Sequence, residues 1–133
     1  MPAGYSGTPL AKKLGLKEGA ALWAPGMPAS VKAEIKAAKP AYADKPAKGL
    51  AAAHVFHTEA RKLAADLKKL RTLLAPDGQV WVSWPKKAAK VETDITEDTI
   101  RALALPMGFV DVKVCAVDAV WSGLKLVIRK ELR

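Results

Sequence analysis

Ser83-Trp84-Pro85-Lys86-Lys87, with Lys90 shortly after, is the stretch whose residue types most resemble a binding site. Paired lysines carry charge for an anion, tryptophan offers a flat apolar surface, and proline ends a strand so that the next residues leave the sheet. Gly4-Tyr5-Ser6-Gly7-Thr8 is a second candidate. Two glycines around Ser6, ahead of a helix beginning near Thr8, can turn backbone N–H groups toward an anion. The same stretch falls one residue short of G-x-S-x-G, because threonine holds the last position, and no strand precedes it to form a nucleophile elbow. We therefore take Ser6, Gly7, Thr8, Ser83, Trp84, Lys86 and Lys87 as candidate anion-binding residues and assign no catalytic residue.

Other reactive side chains read as structural. His54 and His57 are three apart on a strand, which puts them on opposite faces with no third ligand nearby, so no metal site is expected. Cys115 has no neighbouring histidine or basic cluster in sequence and reads as a small hydrophobe. Asp94, Glu97 and Asp98 stand where a helix starts, and its dipole and cap account for them. Trp121-Ser122-Gly123 reads as an anchor for the last turn.

The elements that position these residues follow from periodicity and breakers. Thr8-Pro9 opens a short helix to about Leu14, ended by Gly15. A weak strand over Ala20–Ala24 stops at Pro25-Gly26. Ser30 opens a helix over about Val31–Ala38, and residues 39–49 form a loop with a short edge strand near Tyr42. Leu50–His57 is an apolar run suited to a buried strand. Thr58 caps a helix over Glu59–Leu74, where Leu63, Leu67, Leu70 and Leu74 make one stripe. Ala75-Pro76-Asp77-Gly78 is a turn before the strand Gln79–Trp84. Thr96 caps a helix over Glu97–Met107, and Gly108 follows it. In Phe109–Val117, alternation puts Val110, Val112, Val114 and Ala116 on one face. Leu124–Lys130 closes an antiparallel hairpin with it. Strands alternating with helices predict an α/β fold: a mainly parallel sheet of about five strands, helices on its faces and a C-terminal antiparallel hairpin.

The 133 residues suit one domain, residues 1–133, in which 1–16 form an N-terminal turn and short helix. Half are hydrophobic and 26% are charged, as in globular rather than disordered chains. A single cysteine cannot form an internal disulfide, the first residues lack a signal-peptide pattern, and no uncharged stretch is long enough to span a bilayer. A cytoplasmic protein is expected, with no membrane partner. The net charge of +9 divides into +5 over residues 1–50, +5 over 51–90 and −1 over 91–133. Such a balance suits an anionic small molecule, an acidic protein or nucleic acid, and equally a lysine-solubilised surface. Neither zinc-finger spacing nor an RRM signature is present.

From Leu50 to Arg133 the chain resembles the C-terminal half of a class I methyltransferase-like Rossmann fold. The features are an apolar strand, a helix, the strand L-L-A-P-D-G-Q-V-W-V-S-W, a helix ending G-F-V-D-V-K-V, and a closing strand. Leu14-Gly15-Leu16-Lys17-Glu18-Gly19 stands where such a fold begins its first strand. The whole chain also resembles a family of small uncharacterised bacterial proteins through G-Y-S-G-T-P-L-A-K-K-L-G, W-V-S-W-P-K-K and D-V-K-V-C-A-V-D-A-V-W-S-G-L-K-L-V. The first resemblance implies a reduced methyltransferase-like fold; the second implies no activity. The resemblance departs at Trp23-Ala24-Pro25-Gly26-Met27-Pro28. A turn that cradles S-adenosylmethionine is rich in glycine, and this one has a single glycine and two prolines. No cofactor is therefore expected. The sequence predicts a non-catalytic binding or regulatory domain for a small anion or partner protein. Its alternatives are nucleic-acid binding through the first 90 residues, or an enzyme of another type at the strand-end cleft.

Overall fold

A computed structural model of the protein describes residues 8–133. Among these, six strands form one sheet: β1 (Ala21–Trp23), β2 (Ala41–Tyr42), β3 (Leu50–Phe56), β4 (Leu74–Pro85), β5 (Phe109–Ala116) and β6 (Trp121–Ile128). Four α-helices accompany them: α1 (Leu10–Lys13) before β1, and α2 (Ala29–Ile35), α3 (Ala60–Leu73) and α4 (Glu97–Ala104) between strands. The sheet order is β2-β1-β3-β4-β6-β5. The first four strands are mutually parallel, and β6 pairs antiparallel with both β4 and β5. The expected α/β architecture and C-terminal hairpin are both present, with one strand more than expected because the Tyr42 edge strand joins the sheet.

Each face of the sheet carries its own core. Leu63, Leu67 and Leu70 of α3, with Ile100 and Ala104 of α4, pack on Val55, Val80, Val82 and Leu126. On the other face, Leu10 and Leu14 of α1 and Val31 and Ile35 of α2 cover Leu22, Ala52 and Trp81. Central strands covered on both sides must be apolar in both phases, which explains the continuous runs A-A-A-H-V-F and V-W-V-S-W. Trp81 also anchors α1, because its Nε1 donates to the Leu14 carbonyl at 2.8 Å.

Several local expectations are corrected. Pro9 occupies the cap position of α1, so Thr8 lies outside it, and Ser30 lies inside α2. Glu59, not Thr58, precedes α3, and the first N–H of that helix, from Ala60, is taken by Asp94 Oδ1 at 2.7 Å. A distant loop thus supplies the cap. Ala75–Gly78 does not separate helix from strand. It is a bulged opening of β4, where register jumps from Leu50–Leu74 to Ala52–Gln79. In β5 the register shifts between Asp111 and Lys113. That bulge breaks the predicted alternation: Val114 pairs with Leu124 on the α3/α4 face, whereas Lys113 reaches the Lys13 carbonyl beside α1. Val112 and Val114 are exposed.

Candidate functional site

The chain runs from β1 outward to β2 and then returns across β1 to β3, so strand order reverses between β1 and β3. In open α/β sheets, ligands sit beyond the carboxyl ends of the strands near such a reversal. Here that edge carries Ala24–Pro28 after β1, His57-Thr58 after β3, and Lys86–Lys90 after β4.

β4 does not stop pairing at Pro85. Pro85 stands opposite Trp121, and the Lys86 N–H donates to the Val120 carbonyl at 2.7 Å. A 3-10 turn over Lys87–Ala89 follows, and Lys90 closes it with φ +54°. Lys86 is half-buried, and Lys87 and Lys90 are exposed. Among the described residues none of the three side chains has a carboxylate partner. Trp84, Pro85, Lys86 and Lys87 border a cleft of about 430 Å³, whose lining also includes Thr93, Ile95 and Glu97. Glu97 is the one carboxylate in its lining, and it is engaged by Arg101 at 2.7 Å. The lining is therefore net cationic, with Trp84 as its aromatic member.

The sequence candidates divide. Trp84, Lys86 and Lys87 come together. Ser83, one residue from Trp84 on a strand, lies on the opposite face and is fully buried. Its Oγ lies 2.7 Å from His54 Nε2. Thr8 precedes α1, which packs on that opposite face; Ser6 and Gly7, with the rest of Gly4–Gly7, lie outside the described residues.

His54 and His57 do face opposite ways. His54 stacks on Phe56 at 4.3 Å between ring centroids, and burial pushes its pKa down to about 3. The imidazole is neutral near pH 7. His57 Nε2 lies 2.6 Å from Asp66 Oδ2 on α3. Sequence reasoning missed both partnerships, although one signal was present. A lone serine and a lone histidine in two adjoining apolar strands must satisfy each other, because a buried polar group seldom goes unpaired.

The remaining reactive groups are accounted for locally. Asp98, like Glu97, binds Arg101. Burial raises the Cys115 thiol pKa, with Lys13 and Lys113 opposing the shift, so the thiol form dominates. Trp121 meets Phe56 edge-on at 5.2 Å and anchors the hairpin. No group of three or more His, Cys, Asp or Glu among the described residues can hold a metal ion. No helix among them is long and apolar enough to cross a membrane.

Solved structures share this architecture. A SAM-dependent methyltransferase from Aquifex aeolicus superposes with a TM-score of 0.62 at 14% identity, over 88% of this chain and 86% of that one. Magnesium protoporphyrin IX methyltransferase from Synechocystis gives 0.58 at 12% identity, over 90% of this chain and 74% of that one. A pericyclic reaction enzyme gives 0.59 at 10% identity over 92% of this chain, which spans 47% of that enzyme's length. No family model and no curated protein sequence matches the chain. The fold is methyltransferase-like, of the class I SAM-dependent type.

That fold class implies S-adenosylmethionine at the turn after β1, and the residues there do not fit it. Gly26, at φ +76°, supplies the single glycine. Pro25 and Pro28 have no N–H, and the Met27 N–H is spent on the Ala24 carbonyl. A turn with so few free donors lacks the backbone cradle such a ligand needs.

Proposed function

We propose that this chain is a non-catalytic binding or regulatory domain on a reduced methyltransferase-like fold. It takes a small anion, or an acidic group of a partner protein, in the cleft beside Trp84, Lys86 and Lys87. It works in the cytoplasm and belongs with the small bacterial proteins it resembles. One observation carries this reading. Two lysines with no carboxylate partner among the described residues line one cleft with Trp84 at the carboxyl edge, and the cleft's own carboxylate is already held by Arg101. Point charges of this kind bind anions in a salt-sensitive way and tolerate arginine.

Native mass spectrometry of the protein purified from its own cells identifies the co-purifying ligand. A Lys86→Ala, Lys87→Ala double variant should keep its melting temperature and lose that ligand. Unchanged retention of the ligand would remove the reading. Steep salt-dependent retention on single-stranded DNA, shared evenly among the lysines of residues 1–90, would favour nucleic-acid binding instead.

A further inference from the structure

A second basic concavity lies at the opposite end of the sheet. Lys48 comes just before β3, Arg71 from the last turn of α3, and Arg133 from the segment after β6. They line a cleft of about 420 Å³ whose apolar surface comes from Leu74, Ile128 and Leu132. We propose that this cleft binds a phosphate ester with an apolar body, the phosphate held by Arg71, Arg133 and Lys48.

Each cation bonds a main-chain carbonyl. Lys48 Nζ donates to the Thr72 carbonyl at 3.1 Å, Arg71 Nε to the Met107 carbonyl at 2.9 Å, and Arg133 Nε to the Ile128 carbonyl at 2.8 Å. Because both arginines are tied through Nε, their terminal nitrogens stay unengaged among the described residues. Among the described residues no Asp or Glu side chain lines the cleft. Glu131 is paired with Arg129 at 3.7 Å and is not part of the lining.

Helix capping explains part of this. Basic side chains often bond the last carbonyls of a helix, which accounts for Lys48 and for the first bond of Arg71. It does not account for Arg133, which arrives from 62 positions further along the chain. Gly108 leaves room for Arg71 and Leu132: a Cβ there would lie 2.9 Å from Arg71 Nε and 2.8 Å from Leu132 Cδ1. Like charges gathered with no acidic side chain among them repel one another, and an anion relieves that repulsion. Guanidinium forks match phosphate oxygens in pairs. A strand of nucleic acid needs a cationic groove that follows its backbone, whereas these three groups converge on one hollow of small-molecule size.

The test titrates the protein with inorganic phosphate and with phenyl phosphate at constant ionic strength, read by calorimetry and by NMR of the arginine Nε–H signals. The Arg71 and Arg133 signals should move, and phenyl phosphate should bind at least about fivefold tighter because its ring covers apolar surface. Arg133→Gln should weaken binding about tenfold, with Arg71→Lys, which keeps charge but loses the fork, intermediate. The Lys86→Ala, Lys87→Ala variant should bind phenyl phosphate normally, which keeps this site distinct from the carboxyl-edge cleft. Still signals, or shifts that potassium chloride reproduces, would overturn the proposal. So would loss in the lysine variant with retention in Arg133→Gln. Single-stranded DNA binding that depends on Arg133 while phenyl phosphate fails to bind would assign the cleft to nucleic acid instead.

Discussion

His54 Nε2 stands 2.7 Å from Ser83 Oγ across the β3–β4 pair, and these two are the buried polar side chains of the described residues. The bond joins the two central parallel strands from within the α1/α2 core. The energetic consequence is asymmetric. An intact buried pair adds little net stability, whereas one partner left alone keeps its full desolvation cost.

Ser83→Ala is therefore expected to destabilise the fold by about 1–3 kcal/mol. Denaturant unfolding checks this. The same variant should leave anion affinity at the Trp84 cleft unchanged. A loss of affinity with no loss of stability would restore Ser83 to the binding site.

Acid should weaken the fold through His54. Its pKa is about 3 in the folded protein against an ordinary 6.5. As pH falls below the ordinary value the unfolded chain takes up a proton that the native state refuses until near its own pKa. Stability is thus whole above the unfolded value and drains away through that window, at a limiting slope of about 1.4 kcal/mol per pH unit. His54→Gln, which can still bond Ser83, should flatten the profile. Unfolding free energies measured between these two pKa values compare the variants, and parallel slopes would refute the assignment.

The α3 stripe makes a contrast within one helix. Leu67 is fully buried and Lys69 exposed. Leu67→Ala should cost about 2–5 kcal/mol. Lys69→Ala should stay within about 0.5 kcal/mol, although its Nζ sits 5.8 Å from the Trp23 ring centroid. Comparable losses in the two variants would mean the packing face is misassigned.

Gly108 combines φ +104° with close approach of Arg71 and Leu132. Gly108→Ala is expected to cost about 1–3 kcal/mol and to shift the Arg71 Nε–H signal. An unchanged melting temperature would show that the turn relaxes freely.

S-adenosylmethionine should bind weakly or not at all, because the turn after β1 holds one glycine between prolines. Calorimetry decides this, and micromolar binding, about −8 kcal/mol, would reverse the conclusion.

The fold was largely legible because its signals are local. Apolar runs bounded by Pro25-Gly26 and Pro85 mark strands, Thr96 marks a helix start, and Leu63, Leu67 and Leu70 mark a helix face by spacing alone. Sequence by itself also determined the charge balance and the poverty of glycine in the turn after β1. It did not reveal the bulge in β5, which depends on how β6 pairs, nor the Asp94 cap on α3, which depends on a loop folding back. Period-two alternation already separates Ser83 from Trp84, but which face meets His54 and which borders Lys86 is decided by where α1 and α4 pack. Lys48, Arg71 and Arg133 have no common motif. They converge because β3 begins, α3 ends and β6 ends at the same edge of the sheet, and that coincidence is a product of strand order, which no short stretch of sequence encodes.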